Sequence, residues 1–378
     1  MASETGNQGI YEPVPLMAPL RSFEEQEDEI IQGVSDVIRS GMWVYSNHGK
    51  ALEEELNEFV GSEKSAVVAS GTDALILALE GYGVKPGDEV ITPAYSFFAS
   101  ASTIMLAGAT PVFCDVSERT FNIDPDRIEE KITEKTVGIV AVHLYGLPAD
   151  LDRINKIAEK HGLFVIEDAC QAIGASVNGK KVGSGKNIAA YSFYPTKNLS
   201  AFGEGGALTG PDDEAMKSVE SLRRHGETSR YHHSLLGRNS RLDEVQAFIL
   251  RTRLKKLDEW TDRRIEIAGQ YTEAWADLPL TVPYVPENYR HVFHLYVIKS
   301  LDREKLASYM QEKNIGHGVY YPVPLPHLEV FSGLGHAPGD FPIAEKLTRE
   351  VLALPMFPQM TEGEVGRVIE SVKAFYGI

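Results

Sequence analysis
The sequence is poor in cysteine and in positive charge, and it has no long hydrophobic run. Its only cysteines among 378 residues are Cys114 and Cys170, both set in apolar segments. That excludes a disulfide-stapled scaffold and predicts a buried, reduced pair, the usage of a cytoplasmic protein. A chain of this length buries roughly three quarters of its unfolded surface and needs no staples. Lys and Arg number 37 against 54 Asp and Glu, a formal charge of −17. This disfavours a basic nucleic-acid groove. No apolar run approaches the ~18–20 residues of a membrane-spanning helix. The N-terminus, MASETGNQGIYEP, lacks a basic segment followed by an apolar one, so no signal peptide is expected. Internal repeats, low-complexity stretches and a G-x-S-x-G elbow are missing too. GYGVKPG (81–87) and GKKVGSGKN (179–187) have the wrong spacing for dinucleotide and Walker loops. His291 and His294 stand three apart in an expected strand and would face opposite sides, so no shared metal is expected.

What remains is a globular α/β pattern of two or three domains. Hydrophobic residues make up 43% and charged residues 24%, which excludes a disordered chain. Residues 1–20 read as an extended arm, and the acidic stretch 23–31 continues into a helix. Leu52, Leu56, Phe59 and Val60 recur at helical spacing, with Gly61 as the stop. Short apolar runs follow at 65–69, 89–92, 111–114, 137–144, 163–167, 188–194 and 205–209. Helical segments separate most of them, at 73–80, 97–107, 125–132 and 150–160, the third opened by Asp124 and Pro125. Continuous apolar strands between helices predict a mostly parallel sheet covered on both faces. SVNGKKV (176–182) carries a hairpin signal in Asn178–Gly179. From Leu242 to Trp275 the pattern predicts one helix of about 50 Å tying two domains together. Beyond it, 291–298 reads as a strand, 302–313 as a helix, 318–324 as extended and 361–376 as a helix, with a capping box at Thr361 and Glu364. The expected division is an arm at 1–22, a large domain at 23–250 and a small α/β domain at 251–378.

Three features combine at one sheet edge. Asp168 closes an apolar strand at its C-terminal end, where open α/β sheets bind ligands; alone it reads equally well as a turn cap. Lys197 lies between another strand and a glycine-rich loop; alone it reads as a surface lysine. In SGTDAL (70–75) a strand runs into a helix through Gly71 and Thr72, so free backbone N–H groups and a partial positive charge suit a phosphate. An anion site, a carboxylate and an amine are what pyridoxal phosphate needs. The first anchors its phosphate, the second keeps the pyridine nitrogen protonated, and the third forms a Schiff base.

The ordered set SGTDAL, TPAYSFFAS, VIEDACQAIGA, YSFYPTKNLSAFGEGGA and GRNSRLDEVQA resembles the DegT/StrS-type family of nucleotide-sugar aminotransferases, from about Pro15 to the C-terminus. The resemblance implies a fold-type-I aminotransferase with a seven-stranded, mostly parallel sheet, pyridoxal 5'-phosphate as cofactor and a homodimer with shared sites. It makes Lys197 the Schiff-base lysine and proton shuttle, and Asp168 the partner of the pyridine nitrogen. Gln171 would bond the ring's phenolic oxygen and Phe97 would stack on the ring. Gly71, Thr72, Asp73 and Ser192 would hold the phosphate, with Asn239 reaching the phosphate of the neighbouring subunit. Without the resemblance, Phe97 reads as core and Gln171 as helix surface. Relatives that dehydrate have histidine in place of the lysine, so Lys197 favours transamination over a dehydratase or lyase. A regulatory protein of the same fold is a further reading.

NLSAFGEGGA is closer to enzymes that aminate a 3-keto sugar than to 4-keto enzymes, with Ser200 and Glu204 departing from both patterns. GVYYPVPLPHL offers Tyr320 and Tyr321 as sugar contacts, Tyr320 standing where histidine is frequent. RHGETSRYHHSLLGRNSRLDE resembles enzymes of 3-keto UDP-sugar acids. It offers Arg230, His232 and His233 to a carboxylate or to phosphates, or else a solvated dimer-contact loop. The implied reaction takes an amino group from L-glutamate to a keto-sugar nucleotide.

Overall fold
The computed structural model describes residues 12–378, so the first half of the expected arm lies outside the described residues. Each apolar run forms a strand of one seven-stranded sheet. In chain order these are β1 (Lys64–Val68), β2 (Glu89–Pro93), β3 (Thr110–Cys114), β4 (Thr136–Val142), β5 (Phe164–Asp168), β6 (Ile188–Ser192) and β7 (Gly206–Gly210). The spatial order is β1-β7-β6-β5-β4-β2-β3, and only β7 runs against its neighbours. Successive residues enter opposite cores, as a sheet covered on both faces requires. Val68, Ile166, Ala190 and Leu208 join the cluster on one face, while Val67, Ala189 and Ala207 join the cluster on the other. In the parallel ladder Asp168 pairs with Val142 and Ala190, which puts it at the middle of the C-terminal sheet edge.

Four local expectations need correction. The 242–275 helix is bent, with segments Glu244–Leu254 and Leu257–Ala274 of 11 and 18 residues. Two cores compete for it. Ala247, Leu250 and Leu257 pack with the large sheet, and Ile267, Ala268 and Tyr271 pack with the C-terminal cluster. We propose the bend at Lys255–Lys256 as the joint between the two domains. The strand at 291–298 is confined to Tyr296–Lys299, which pairs antiparallel with Val351–Leu354. Upstream of it, the amides of Val292 and Leu295 bond the carbonyls of Gly146 and Tyr145 instead of a strand. Residues 125–132 form two 3-10 turns, Pro125–Arg127 and Glu129–Lys131, closed by bonds from the Ile128 and Ile132 amides to the Pro125 and Glu129 carbonyls, with Ile128 between them buried against the cluster of Ile139 and Val165. The arm is helical at Pro19–Glu24, and Val14 bridges to Ile315. The Asn178–Gly179 hairpin, the Gly61 stop at φ +85° and the Thr361–Glu364 capping box all form as expected.

A buried ion cluster braces β1 from below. Arg223 is fully buried. It donates to Glu53 at 2.6 Å, to the Val67 carbonyl at 2.7 Å and to the Tyr45 hydroxyl at 2.9 Å. Its own carbonyl accepts from Ser240, so the cluster also sets the loop beside the cavity described below. Burial pushes the Glu53 pKa up, and Arg223 opposes it. Arg223→Met leaves that carboxylate buried and unpaired, so we expect a loss of about 3–5 kcal/mol. It should be seen as a lower urea midpoint at constant slope, with partial recovery in the Arg223→Met, Glu53→Gln double variant.

Candidate active site
The sheet edge opens into a cavity of about 560 Å³ walled by Gly71, Thr72, Phe97, Asp168, Gln171, Ser192, Lys197, Tyr320 and Tyr321. Each arrives by a different element. Asp168 ends β5. Ser192 ends β6, and a turn closed by the Lys197 amide on the Tyr194 carbonyl at 2.8 Å returns the lysine to the same edge. Gly71 and Thr72 begin the helix Gly71–Gly81, where the first N–H groups precede any intrahelical bond.

The Asp168 carboxylate is 5% exposed. It accepts from the Ser100 hydroxyl at 2.7 Å and from the Cys170 amide at 3.2 Å. Ser100 is held in turn by Ser96 at 2.8 Å. The acid is thus fixed by neutral donors and faces the cavity without a cationic side chain bonded to it. Nothing described bonds the Lys197 amine. Burial lowers its pKa from the ordinary value, with Cys170 and Asp168 opposing, so more of it is neutral near pH 8 than for a surface lysine.

The end of the cavity at the helix start is shaped by close backbone approach. A Cβ at Gly71 would lie 2.6 Å from Ser192 Cβ, and one at Gly206 would lie 2.4 Å from the Ser70 carbonyl carbon. Glycine at both positions lets the helix start, β6 and β7 converge. Asp73 departs from the expected role. Its amide is taken by the Ser70 side chain at 3.1 Å and its carboxylate by the Ser240 hydroxyl at 2.6 Å. It braces the helix and does not line the cavity.

Gln171 accepts from the Tyr145 amide at 2.7 Å and donates to the Tyr321 hydroxyl at 3.1 Å. Burial pushes the Tyr321 phenol up, so it stays protonated. Tyr95 locks the segment, donating to the Tyr320 carbonyl at 2.7 Å and accepting from the Tyr321 amide at 2.7 Å. The Phe97 and Tyr321 rings lie 6.0 Å apart.

Besides Asp73, four expected site residues do not reach this cavity. Asn239 is exposed and accepts from Arg241 at 2.9 Å. Arg230, His232 and His233 sit on or beside an exposed hairpin, Glu227–Ser229 with His232–His233. Conversely, Ser100, Tyr95, Tyr145 and His294 were missed. The four-residue spacing of Ser96 and Ser100 could have flagged that pair. His294 carried no signal, since its reading depended on a strand that does not form. It lines the cavity and is buried.

The donors present fit pyridoxal phosphate: an unbonded amine, a buried acid and a helix start with free amides share one cavity. Residues 24–373 match the DegT/DnrJ/EryC1/StrS aminotransferase family. A Geobacillus stearothermophilus protein named pleiotropic regulatory protein is 44% identical over 96% of this chain and 98% of its own length. An Acidithiobacillus ferrooxidans protein named UDP-N-acetyl-3-dehydro-alpha-D-glucosamine 3-aminotransferase is 41% identical over 95% and 97%. The crystal structure of Streptomyces venezuelae DesV in complex with a ketimine intermediate matches with a TM-score of 0.95 at 37% identity, over 97% of this chain and 100% of that one. The chain belongs to the DegT/DnrJ/EryC1/StrS aminotransferase family and is a pyridoxal-phosphate-dependent aminotransferase.

Proposed function
We propose that the chain moves an amino group from L-glutamate to a keto-sugar nucleotide, a 3-keto dTDP- or UDP-hexose, giving an amino sugar. The observation that carries this is the juxtaposition of Lys197, Asp168 and the helix start at Gly71 around one cavity. Pyridoxal phosphate supplies an electron sink that acidifies the carbon bearing the amino group. Asp168, oriented by Ser100 and the Cys170 amide, holds a proton on the ring nitrogen. The Gly71 and Thr72 amides and the Ser192 hydroxyl take the phosphate. Lys197, eased toward its neutral form by burial, would remove the α-proton and return it on the far side of the nitrogen, at the cofactor's aldehyde carbon. Gln171 donates to the ring's phenolic oxygen, and Phe97 covers one ring face. Tyr320 and Tyr321 offer hydroxyls to the sugar.

The homodimer belongs to the same proposal. Asn239 lies outside its own chain's cavity, as a residue serving a neighbouring subunit would. Arg230, His232 and His233 are placed where they would meet a substrate's anionic groups only across such an interface. The two unpaired cysteines suit a reducing, cytoplasmic compartment. Among the described residues no helix is long and apolar enough to cross a membrane.

The 44% identical regulatory relative favours one competing reading, a non-catalytic protein of this fold. Mixing holoenzyme with L-glutamate separates the two. One 2-oxoglutarate per site is expected, followed by sustained turnover once the accepted member of a 3-keto and 4-keto nucleotide-sugar panel is added, read by mass spectrometry. No 2-oxo acid released from L-glutamate or any other amino donor, or exclusive use of 4-keto sugars, defeats the corresponding part of the proposal.

A further inference from the structure
A second, smaller cavity of about 30 Å³ shares Lys197 and His294 with the catalytic one. Arg253 and Arg264, one from each limb of the bent helix, line it and are 2% and 8% exposed. Among the described residues neither forms an ion pair, and their hydrogen-bond partners are all neutral. Arg253 donates to the Ser22 carbonyl at 3.5 Å, the Ser22 hydroxyl at 2.9 Å and the Ser200 hydroxyl at 3.1 Å. Arg264 donates to the carbonyls of Phe293 at 3.1 Å and Met356 at 2.8 Å. Burial pushes both guanidinium pKa values down to about 10, which still leaves both charged at neutral pH. Glu25, the acid that acts on Arg253, is bonded by the Trp260 indole at 2.9 Å and lies outside the cavity wall. No carboxylate of the described residues lines the cavity.

Unmet hydrogen-bonding capacity gathers at the same place. Ten buried side-chain atoms among the described residues have no partner, and four of them belong to this wall: Arg253 Nε, His294 Nδ1, Asn198 Oδ1 and Gln359 Nε2. Buried charges are paired in folded proteins, because an uncompensated one is strongly unfavourable. Water alone would leave two guanidiniums lining one cavity with no negative charge among the described residues of its wall. The space admits roughly two water-sized occupants at about 15 Å³ each, too little for a whole amino acid.

We propose that this cavity binds one compact monoanion between Arg253 and Arg264, with a single water serving Asn198. The shared chemistry is that of a halide or of one carboxylate group reaching past Lys197. The second source rests on the transamination reading, since it would be a carboxylate of the amino donor; the binding itself does not.

The test melts the holoenzyme in sodium gluconate as chloride or glutarate replaces it at fixed ionic strength. A saturable rise in Tm of about 3 °C is expected. Response to chloride alone assigns an inorganic ion, and response to glutarate in competition with chloride assigns the donor carboxylate. Arg253→Met should abolish the response. Because that variant also loses the Ser22 and Ser200 contacts, crystals of the unaltered enzyme soaked in sodium bromide supply the deciding measurement. An anomalous peak between the two guanidiniums supports the site. A flat melting response together with no such peak overturns it, whatever the transamination assay gives.

Discussion

Lys197→Ala should lower turnover by about 10⁴-fold or more, since one substitution removes both a nucleophile and a general base. The fold should survive. The side chain has no hydrogen bond to any described residue, so no partner is orphaned, and trimming a desolvated amine removes an unfavourable burial. Cofactor should still be retained through Gly71, Thr72, Ser192 and Asp168, without the covalent link. Added methylamine should restore part of the proton-transfer step in the variant, because a small amine can enter the vacated space. The unaltered enzyme supplies a second readout. The base is active when neutral, and its pKa is depressed, so the glutamate half-reaction should rise with pH through a midpoint below 10.5. A midpoint at or above that value, or an alanine variant with ordinary turnover, removes Lys197 from the chemistry.

The sheet was legible because its strands are buried on both faces, so their apolar runs are continuous. Asp168 and Lys197 were legible for a related reason. Both stand at the ends of such runs, where a polar residue marks the sheet edge. The helical connector was misread because periodicity reports an apolar face without saying which core it meets. Leu257 and Ile267 continue one pattern but serve different clusters. His294 was invisible because its flanking residues Val292 and Leu295 bond the carbonyls of Gly146 and Tyr145, a pairing across about 150 residues that no local pattern records. Asp73 was over-read: SGTDAL places it at the helix start, but Ser70 and Ser240 had prior claim to its amide and carboxylate.

Asp168→Asn should separate function from stability. The asparagine amide can keep both present contacts, its oxygen accepting from the Cys170 amide and its NH₂ donating to Ser100 Oγ, which then turns its own proton to Ser96. What it loses is the negative charge, and with it the ability to hold a proton on the ring nitrogen. Removing one preorganised electrostatic partner of a reacting group lowers kcat by about 10²–10³-fold, and glutamate KM should change little because Asp168 meets the ring and not the donor. Stability should move the other way. The carboxylate is 5% exposed and both donors bonded to it are neutral, Lys197 sharing the cavity without a bond to it, so the cofactor-free variant should melt no lower than the parent and up to a few degrees higher. Ser100→Ala supplies the control. It leaves the charge and removes one donor, so about a tenfold loss in kcat is expected. If Asp168→Asn lost stability and kcat together, or if Ser100→Ala matched it, the acid would be a structural turn cap, the reading that the sequence alone left open.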